Sequence, residues 1–280
     1  MGGATVGHVA LTVSPHPDDE VLGLGATLAM LLDRSWTMQN LACSLGHAED
    51  HERRLGELHL AGSRLGFAST VMEPQAGIGR DDDLERAVLE VADAVSEQIA
   101  VHDPDVVISP HLTDGHHGHE VIAQGVRTAL QRSTSGPVWW AYGIWNDLPR
   151  PNVFAPYDHT LLARVLYALA AYRGENARSH YDLMYPARAV VNRTLGSERV
   201  FGFGTATASD LPYADLFTEL RHGLDGWRYA APRLFDPAAP LRTTWLPGAV
   251  DWWVSQPSLR ERWSSPPDGD GAGSGAGEPG

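Results

Sequence analysis

The sequence predicts an α/β fold in which a mostly parallel sheet carries helices on both faces. Two observations predict it. Short apolar runs of strand length alternate with longer amphipathic segments through the first half of the chain. Hydrophobic residues make up 43% of the 280 residues, enough for a substantial buried core. An alternating order of strands and helices is typical of parallel sheets, whose crossover connections place helices over both faces.

The first four elements follow this alternation. A continuous apolar run at residues 8–14 predicts a buried strand, and residues 18–34 predict a helix with an acidic first turn. A second apolar run covers residues 38–45. An Arg- and Glu-rich segment at residues 50–65 predicts the next helix, which Gly66 ends.

The clearest helix comes next, because its apolar residues recur at helical spacing on one face. These residues are Leu84, Val88, Val91, Val95 and Ile99. Asp103 and Pro104 end this helix, and residues 106–108 predict a short buried strand. Residues 119–131 return to a helical pattern.

The second half is less regular, and we expect it to complete the functional site. Residues 137–145 predict a strand, residues 158–173 an amphipathic helix, and residues 210–222 a further helix. Gly, Pro, Ser and Asp dominate from residue 264 onwards. Residues 1–263 are therefore expected to form a single domain, followed by a disordered tail at residues 264–280.

Charge and composition exclude several classes of function. The formal net charge of −14 disfavours nonspecific binding to nucleic acids or anionic lipids. The single cysteine, Cys43, excludes an internal disulfide and is expected to be a small buried residue. No apolar stretch reaches the length of a membrane span, and a strand pattern starts within ten residues of Met1. We therefore expect a cytoplasmic protein.

The most informative segment is residues 14–20, Ser-Pro-His-Pro-Asp-Asp-Glu, directly after the first predicted strand. It places three carboxylates and one imidazole where that strand ends and a helix begins. Such crowding of negative charge is costly without a nearby positive charge, and a divalent metal is the simplest candidate. The alternative is a helix cap with an incidental histidine.

A second polar cluster, residues 114–120, follows the predicted strand around residues 106–108. Ligands of open parallel sheets bind beyond the carboxyl ends of the strands, so both clusters are expected at one sheet edge. His16 and Asp19 can aim at one point, and His119 is the natural third ligand of a catalytic zinc. Asp18 is better placed as a base beside the metal-bound water. The alternative for the second cluster is a polar surface loop.

These motifs resemble a known family. The run Pro-His-Pro-Asp-Asp-Glu at residues 15–20 and the later pair His116 and His119 resemble the LmbE-like, or PIG-L, zinc N-deacetylases. Arg54 and Glu57 resemble the second helix of that family. The family includes N-acetylglucosamine deacetylases of GPI-anchor, mycothiol and bacillithiol synthesis, and enzymes that tailor teicoplanin-type glycopeptide antibiotics.

The resemblance implies a Rossmann-like α/β fold, a Zn²⁺ ion and a role for each residue that matches a family motif. Zinc would bind to His16, Asp19 and His119. Asp18 would be the general base. His116 would be the imidazolium that stabilises the oxyanion and protonates the leaving amine, and Arg54 would contact the sugar.

One position departs from the family pattern. The family usually reads His-Pro-Asp-His at the second cluster, whereas this chain reads His116-His117-Gly118-His119. Gly118 therefore replaces an acidic residue, which leaves open how His116 is oriented and kept protonated. Asp114 is a possible substitute partner for His116.

The expected reaction is removal of an acetyl group from an N-acetylglucosaminyl moiety. Nine tryptophans favour a large, partly aromatic substrate such as a teicoplanin-type glycopeptide. We assign His117 and Trp140 to substrate contacts, with solvation and core packing as their respective alternatives. The alternative substrate is a small N-acetylglucosamine conjugate of thiol synthesis, and the alternative class is a non-catalytic, metal-dependent sugar-binding module.

A nucleotide-binding dehydrogenase is disfavoured. Gly23-Leu24-Gly25 lacks the third glycine of a dinucleotide-binding loop, and it lies past the start of the predicted helix. His47 and His51 follow the second strand, so they either line the site or lie on the surface.

Overall fold

A computed structural model of the protein describes residues 7–205 and 207–248. Within them the strands are β1 (Val9–Ser14), β2 (Thr37–Ala42), β3 (Ala68–Val71), β4 (Val106–Pro110), β5 (Val138–Tyr142), β6 (Val153–Tyr157), β7 (Tyr213–Gly223), β8 (Gly226–Tyr229) and β9 (Arg233–Leu234). The helices are α1 (Asp19–Leu32), α2 (His51–Leu65), α3 (Leu84–His102), α4 (His117–Arg132), α5 (His159–Leu169), α6 (Arg173–Ser179) and α7 (Tyr181–Phe201).

The strands form one mostly parallel sheet in the order β3-β2-β1-β4-β5-β7-β6-β9, and β8 pairs with β7. The first five strands of this order are parallel to one another, whereas β7 runs antiparallel to both β5 and β6. The chain leaves β1 towards β2 on one side and later returns to β4 on the other side. The strand order therefore reverses between β1 and β4, where ligands of such sheets bind.

Helices cover both faces of the sheet, as the sequence predicts. Successive strand residues point to opposite faces, so Ile108 joins the core under α1, α2, α5 and α7, while Val107 joins the core under α3 and α4. Both residues are completely buried. Burial on both faces explains why β1 and β4 read as continuous apolar runs rather than as alternating patterns.

The boundaries of the first six predicted elements agree with the structure to within a few residues. The end of α3 is confirmed: Asp103 adopts a left-handed backbone conformation (φ 42°) and its amide donates to the carbonyl of Ile99. Gly66 ends α2 in the same conformation.

The predicted helix at residues 210–222 is wrong, because this segment forms strand β7. It lies between β5 and β6, and residues 214–220 are buried on both faces of the sheet. A strand with two buried faces loses the alternation that distinguishes it from a helix, so its apolar spacing is ambiguous.

The sequence does not predict β3, β6, β8, β9, α6 or the long helix α7, although the predicted amphipathic segment at residues 158–173 matches α5. Pro186 lies inside α7, within its first two turns, and weakens the helical signal there. The predicted tail at residues 264–280 lies outside the described residues. Among the residues that are described, no helix combines the length and the apolar character that a bilayer crossing requires.

Candidate active site

Two loops meet at the reversal point of the strand order. The first joins β1 to α1 and carries His16 and Asp18, and Asp19 follows as the first residue of α1. The second joins β4 to α4 and carries Asp114 and His116. Because β1 and β4 are adjacent and parallel, the ends of both strands place these loops side by side at one sheet edge.

His16, Asp19 and His119 converge, as the sequence predicts. One ligand atom of each of the three residues lies within 4.8 Å of the other two. Asp19 lies between the imidazoles, with Oδ2 3.5 Å from Nδ1 of His16 and Oδ1 3.4 Å from Nε2 of His119. Asp19 and His119 are buried, whereas the His16 side chain retains 23% of its exposure.

This donor set fits a divalent metal such as zinc. Zinc takes imidazole and carboxylate ligands at about 2.1 Å, which at tetrahedral angles places ligand atoms about 3.4 Å apart. Each imidazole lies at about that separation from one oxygen of Asp19, a different oxygen for each, and one donor atom per residue lies within 4.8 Å of the other two. Two imidazoles and one carboxylate are also the three protein ligands of a common type of catalytic zinc site.

Asp114 binds the ring nitrogen of His119 that does not face Asp19. Its Oδ2 accepts a hydrogen bond of 2.7 Å from Nδ1 of His119, which leaves Nε2 directed at Asp19. A carboxylate on the distal nitrogen of a ligating histidine is the usual arrangement at metal sites, because it fixes the ring and raises its basicity. Asp114 Oδ1 accepts from the backbone amides of Ile144 and Trp145, at 2.8 and 3.3 Å.

Asp114→Asn is expected to weaken metal binding about 10- to 100-fold. The amide NH₂ would face Nδ1 of His119 and favour the tautomer that carries its proton on Nε2, where it competes with the metal. Chelator competition on the purified protein measures the change. An unaltered metal affinity would show that Asp114 does not orient His119.

Opposite charges within and around the triad shift the pKa values of His119 and Asp19. Burial alone would lower the pKa of His119, but Asp19 and the hydrogen bond to Asp114 outweigh it and raise the pKa to about 10. Burial would raise the pKa of Asp19, but the charge of His119 outweighs it and lowers that pKa. Metal binding must therefore displace a proton from His119, so metal affinity falls as the pH falls.

Asp18 is buried beside the triad in an unusual backbone conformation, with φ 118° at the N-cap of α1. Positive φ is strained for a residue other than glycine, and such strain is typical of functional sites. Burial first, and then the charge of Asp19, hold the pKa of the Asp18 carboxyl well above its usual range. A buried carboxyl with a raised pKa is suited to proton transfer near neutral pH.

His116 lies at the N-cap of α4, and its ring centroid is 4.9 Å from that of His119. Asp114, the substitute partner that the sequence suggests for it, instead binds His119 and the backbone at residues 144–146. Burial, followed by the neighbouring His119, lowers the pKa of His116 to about 4. The structure therefore favours a neutral ring at pH 7 over the imidazolium that the family resemblance implies.

A pocket of about 1130 Å³ opens over the triad. Arg54 and His117 line it, where the sequence analysis expects substrate contacts. The Arg54 side chain is 11% exposed, and its guanidinium lies 3.4 Å from the carbonyl of Pro17 and 3.8 Å from Glu175. Arg54 is therefore held against the β1–α1 loop, which carries His16 and Asp18.

The assignment of Trp140 to substrate is wrong. Trp140 is completely buried and packs against Phe217 and Phe235, with centroids 4.8 and 5.8 Å apart. It lies on a central strand whose residues face the core on both sides, so it has no access to the pocket. Trp145, from the loop after β5, does line the pocket.

Sequence reasoning missed part of the pocket wall. Glu175 and Tyr181, from α6 and α7, line the pocket, as does much of the connection from β3 to α3, residues 73–82. Glu175 anchors both Arg54 and Arg178. These residues carry no recognisable motif, so only the tertiary packing of the second half reveals them. His47 and His51, which the sequence allows either at the site or on the surface, both line the pocket.

Comparison with known proteins agrees with this geometry. Residues 11–130 match the family model described as GlcNAc-PI de-N-acetylase, PIG-L. No curated protein sequence matches the chain significantly.

Three solved structures illustrate the similarity of fold. The A40926 pseudoaglycone deacetylase Dbv21 is 17% identical, with a TM-score of 0.60 over 74% of this chain and 95% of its own. The zinc-inhibited form of the teicoplanin deacetylase Orf2 is 16% identical, with a TM-score of 0.59 over 76% and 98%. GalB, the 4-carboxy-2-hydroxymuconate hydratase from Pseudomonas putida KT2440, is 19% identical, with a TM-score of 0.56 over 82% and 98%.

At these identities the solved structures establish the shared fold alone, and the presence of a hydratase among them shows that this fold supports more than one reaction. The sequence match is more specific, because its range includes both loops of the site. Residues 11–130, which match the PIG-L family model, contain Asp18, His116 and all three residues of the triad.

Proposed function

We propose that the protein is a zinc-dependent N-deacetylase that hydrolyses the acetamide of an N-acetylglucosaminyl group. One observation carries the proposal: the buried carboxyl of Asp18 lies beside a triad of His16, Asp19 and His119 whose donor atoms fit a metal. A base next to a metal site is the arrangement that amide hydrolysis by water requires. The family match and the two antibiotic deacetylases among the similar structures support this reaction.

The reaction adds water to the acetyl carbon, breaks the C–N bond and gives acetate and a free amine. When bound, zinc supplies Lewis acidity at the carbonyl and makes water acidic at neutral pH. Asp18 accepts a proton from the attacking water, and its raised pKa suits it to return that proton to the departing amine. Proton transfer by a positioned group typically contributes about 10²- to 10⁴-fold in rate.

His116 serves as a hydrogen-bond donor to the oxyanion. A neutral imidazole still carries one N–H, so it can donate without being an imidazolium. One well-placed donor to a developing oxyanion contributes about 3 kcal/mol. Arg54, held at the pocket wall by Glu175, is assigned to the sugar hydroxyls. His117 lines the same pocket and is assigned to a substrate contact.

A glycopeptide is the proposed substrate. The pocket of about 1130 Å³ exceeds the size of most small-molecule sites, about 300–1,000 Å³. Trp145 adds an aromatic surface at its wall, although the buried Trp139 and Trp140 do not contribute. Trp252, Trp253 and Trp263 lie outside the described residues. The similar structures named for pseudoaglycone and teicoplanin deacetylation support this choice.

A substrate competition tests both the proposed deacetylase activity and the proposed glycopeptide substrate. The zinc-loaded protein receives an N-acetylglucosaminyl glycopeptide pseudoaglycone and a small N-acetylglucosamine conjugate together, and mass spectrometry follows each free amine. We expect amine from the glycopeptide at the higher kcat/KM. Preference for the small conjugate would overturn the glycopeptide assignment but keep the deacetylase. Metal binding without amine release from either substrate would favour a sugar-binding module.

A further inference from the structure

Among the described residues, none forms a hydrogen bond that fixes the His116 ring. Its Nδ1 atom is buried and finds no hydrogen-bond partner within residues 7–205 and 207–248. A buried polar atom without a partner is uncommon and requires an explanation. An imidazole that must donate to a developing oxyanion also needs a defined orientation, because small errors of placement are costly in rate.

The absence of a side chain at position 118 explains the missing bond. A Cβ atom built on Gly118 would lie 3.4 Å from both Cε1 and Nδ1 of His116. A longer polar side chain at this position would therefore reach the ring, and glycine leaves that side of it without a partner. Asp114, the nearest carboxylate in sequence, is already bonded to His119.

Aromatic rings occupy the surroundings of His116 instead. The Trp145 ring lies nearly parallel to it, with centroids 5.6 Å apart and an interplanar angle of 23°. The His117 ring is also stacked, at 4.6 Å and 20°. Centroid separations of 4.5–7 Å are those of attractive aromatic pairs.

Trp145 is itself held in place by the scaffold of the metal site. Its backbone amide donates to Asp114 Oδ1, and so do the amides of its neighbours Ile144 and Asn146, at 3.3, 2.8 and 3.4 Å respectively. The same carboxylate fixes His119 through its other oxygen. Asp114 thus ties the position of Trp145 to the position of the triad.

We propose that Trp145 is a positioning residue for His116, which holds the imidazole by ring stacking where this chain lacks a hydrogen-bonding side chain at position 118. The inference rests on the proposed function, because it assigns to Trp145 a role in the step that His116 assists. Asp114 then orients His119 directly and His116 through Trp145.

Trp145→Leu and Trp145→Phe form a matched pair of variants, since leucine removes the ring and phenylalanine retains one. We expect Trp145→Leu to lower kcat by about 10-fold or more with KM nearly unchanged, and Trp145→Phe to recover most of the rate. A rise in KM with unchanged kcat would assign Trp145 to substrate binding instead. An equal loss in both variants would also overturn the positioning role.

A double-mutant cycle with Gly118→Asn tests the stated cause. A Cβ atom at position 118 lies 3.4 Å from Nδ1 of His116 and 3.3 Å from Cδ1 of Ile78, so we expect the new amide to supply the missing partner once the Ile78 side chain adjusts. Trp145→Leu is expected to cost less in kcat in the Gly118→Asn background than in the wild type. Equal fold losses in the two backgrounds would show that Trp145 does not compensate for the glycine.

A crystal structure of Trp145→Leu separates this inference from the proposed function, because it needs no turnover. We expect the His116 ring to be rotated or to occupy more than one rotamer, with zinc and the triad in place. An unmoved, well-ordered His116 would overturn the inference even if the enzyme is a deacetylase. Failure of the wild type to release amine would overturn the proposed function while leaving this structural test intact.

Discussion

Replacing His119 with alanine is expected to reduce bound zinc from about one ion per chain to nearly none and to abolish amine release. His119 is one of the three proposed ligands, and its Nε2 lies 3.4 Å from Asp19, while its Nδ1 contacts Asp114. Two remaining ligands are too few for a stable zinc site at micromolar concentrations. Elemental analysis of the purified protein after dialysis measures the loss.

The substitution also removes the 2.7 Å contact of the buried Asp114 with His119, although Asp114 keeps His111 at 3.3 Å and its backbone amide donors, so some loss of stability is expected. His16→Ala therefore serves as a second variant, because its side chain is partly exposed and its removal disturbs the core less. His117→Ala is the matched control: it removes a neighbouring histidine that is outside the triad. Equal loss of zinc from the His117→Ala control would contradict the assigned ligands. Retention of zinc by His16→Ala would contradict them as well.

The second large effect is expected for Asp18→Asn, which should keep zinc and lose about 10²- to 10⁴-fold in kcat. The amide is nearly isosteric with the carboxyl but accepts no proton at neutral pH. Asparagine also has nearly the same shape as aspartate, so it adds no new steric demand on the backbone at this position, where φ is 118°. The loss should therefore reflect chemistry rather than misfolding.

Amine release under saturating substrate measures this loss, with circular dichroism and zinc content as controls for folding and metal binding. A variant that holds zinc and turns over at nearly the wild-type rate would require another base. Loss of zinc from this variant would instead place Asp18 among the ligands, in conflict with the triad of His16, Asp19 and His119.

The sequence predicts that His16, Asp19 and His119 lie close together, because the buried strands that produce the apolar runs in the sequence also position these residues in the fold. β1 and β4 are buried on both faces, so each reads as an apolar run that ends abruptly. Polar residues after such a run lie beyond the carboxyl end of the strand. Neighbouring parallel strands bring two such ends side by side. His16, Asp19 and His119 could therefore be placed together before any coordinates.

Roles that depend on packing were harder to predict. Trp140 and Trp145 are five residues apart and have the same side chain, yet the first is completely buried and the second is 49% exposed. The difference arises because β5 ends at Tyr142, which places Trp145 in the loop at the sheet edge. The sequence places a strand at residues 137–145, so it could not separate the two.

The sequence also could not predict which histidine the Asp114 carboxylate contacts. Spacing alone allows its carboxylate to reach either His116 or His119, and the fold selects His119 at 2.7 Å. The choice depends on the turn at residues 144–146, whose amides bind the other carboxylate oxygen. That turn comes from a distant part of the chain, so no local pattern reveals the contact.

The most direct test of the account is anomalous diffraction from crystals of the zinc-loaded protein, with data collected on both sides of the zinc absorption edge. We predict one strong anomalous peak per chain, within bonding distance of His16, Asp19 and His119. A peak centred elsewhere in the pocket, for example beside His47 and His51, or no peak at the triad, would contradict the account.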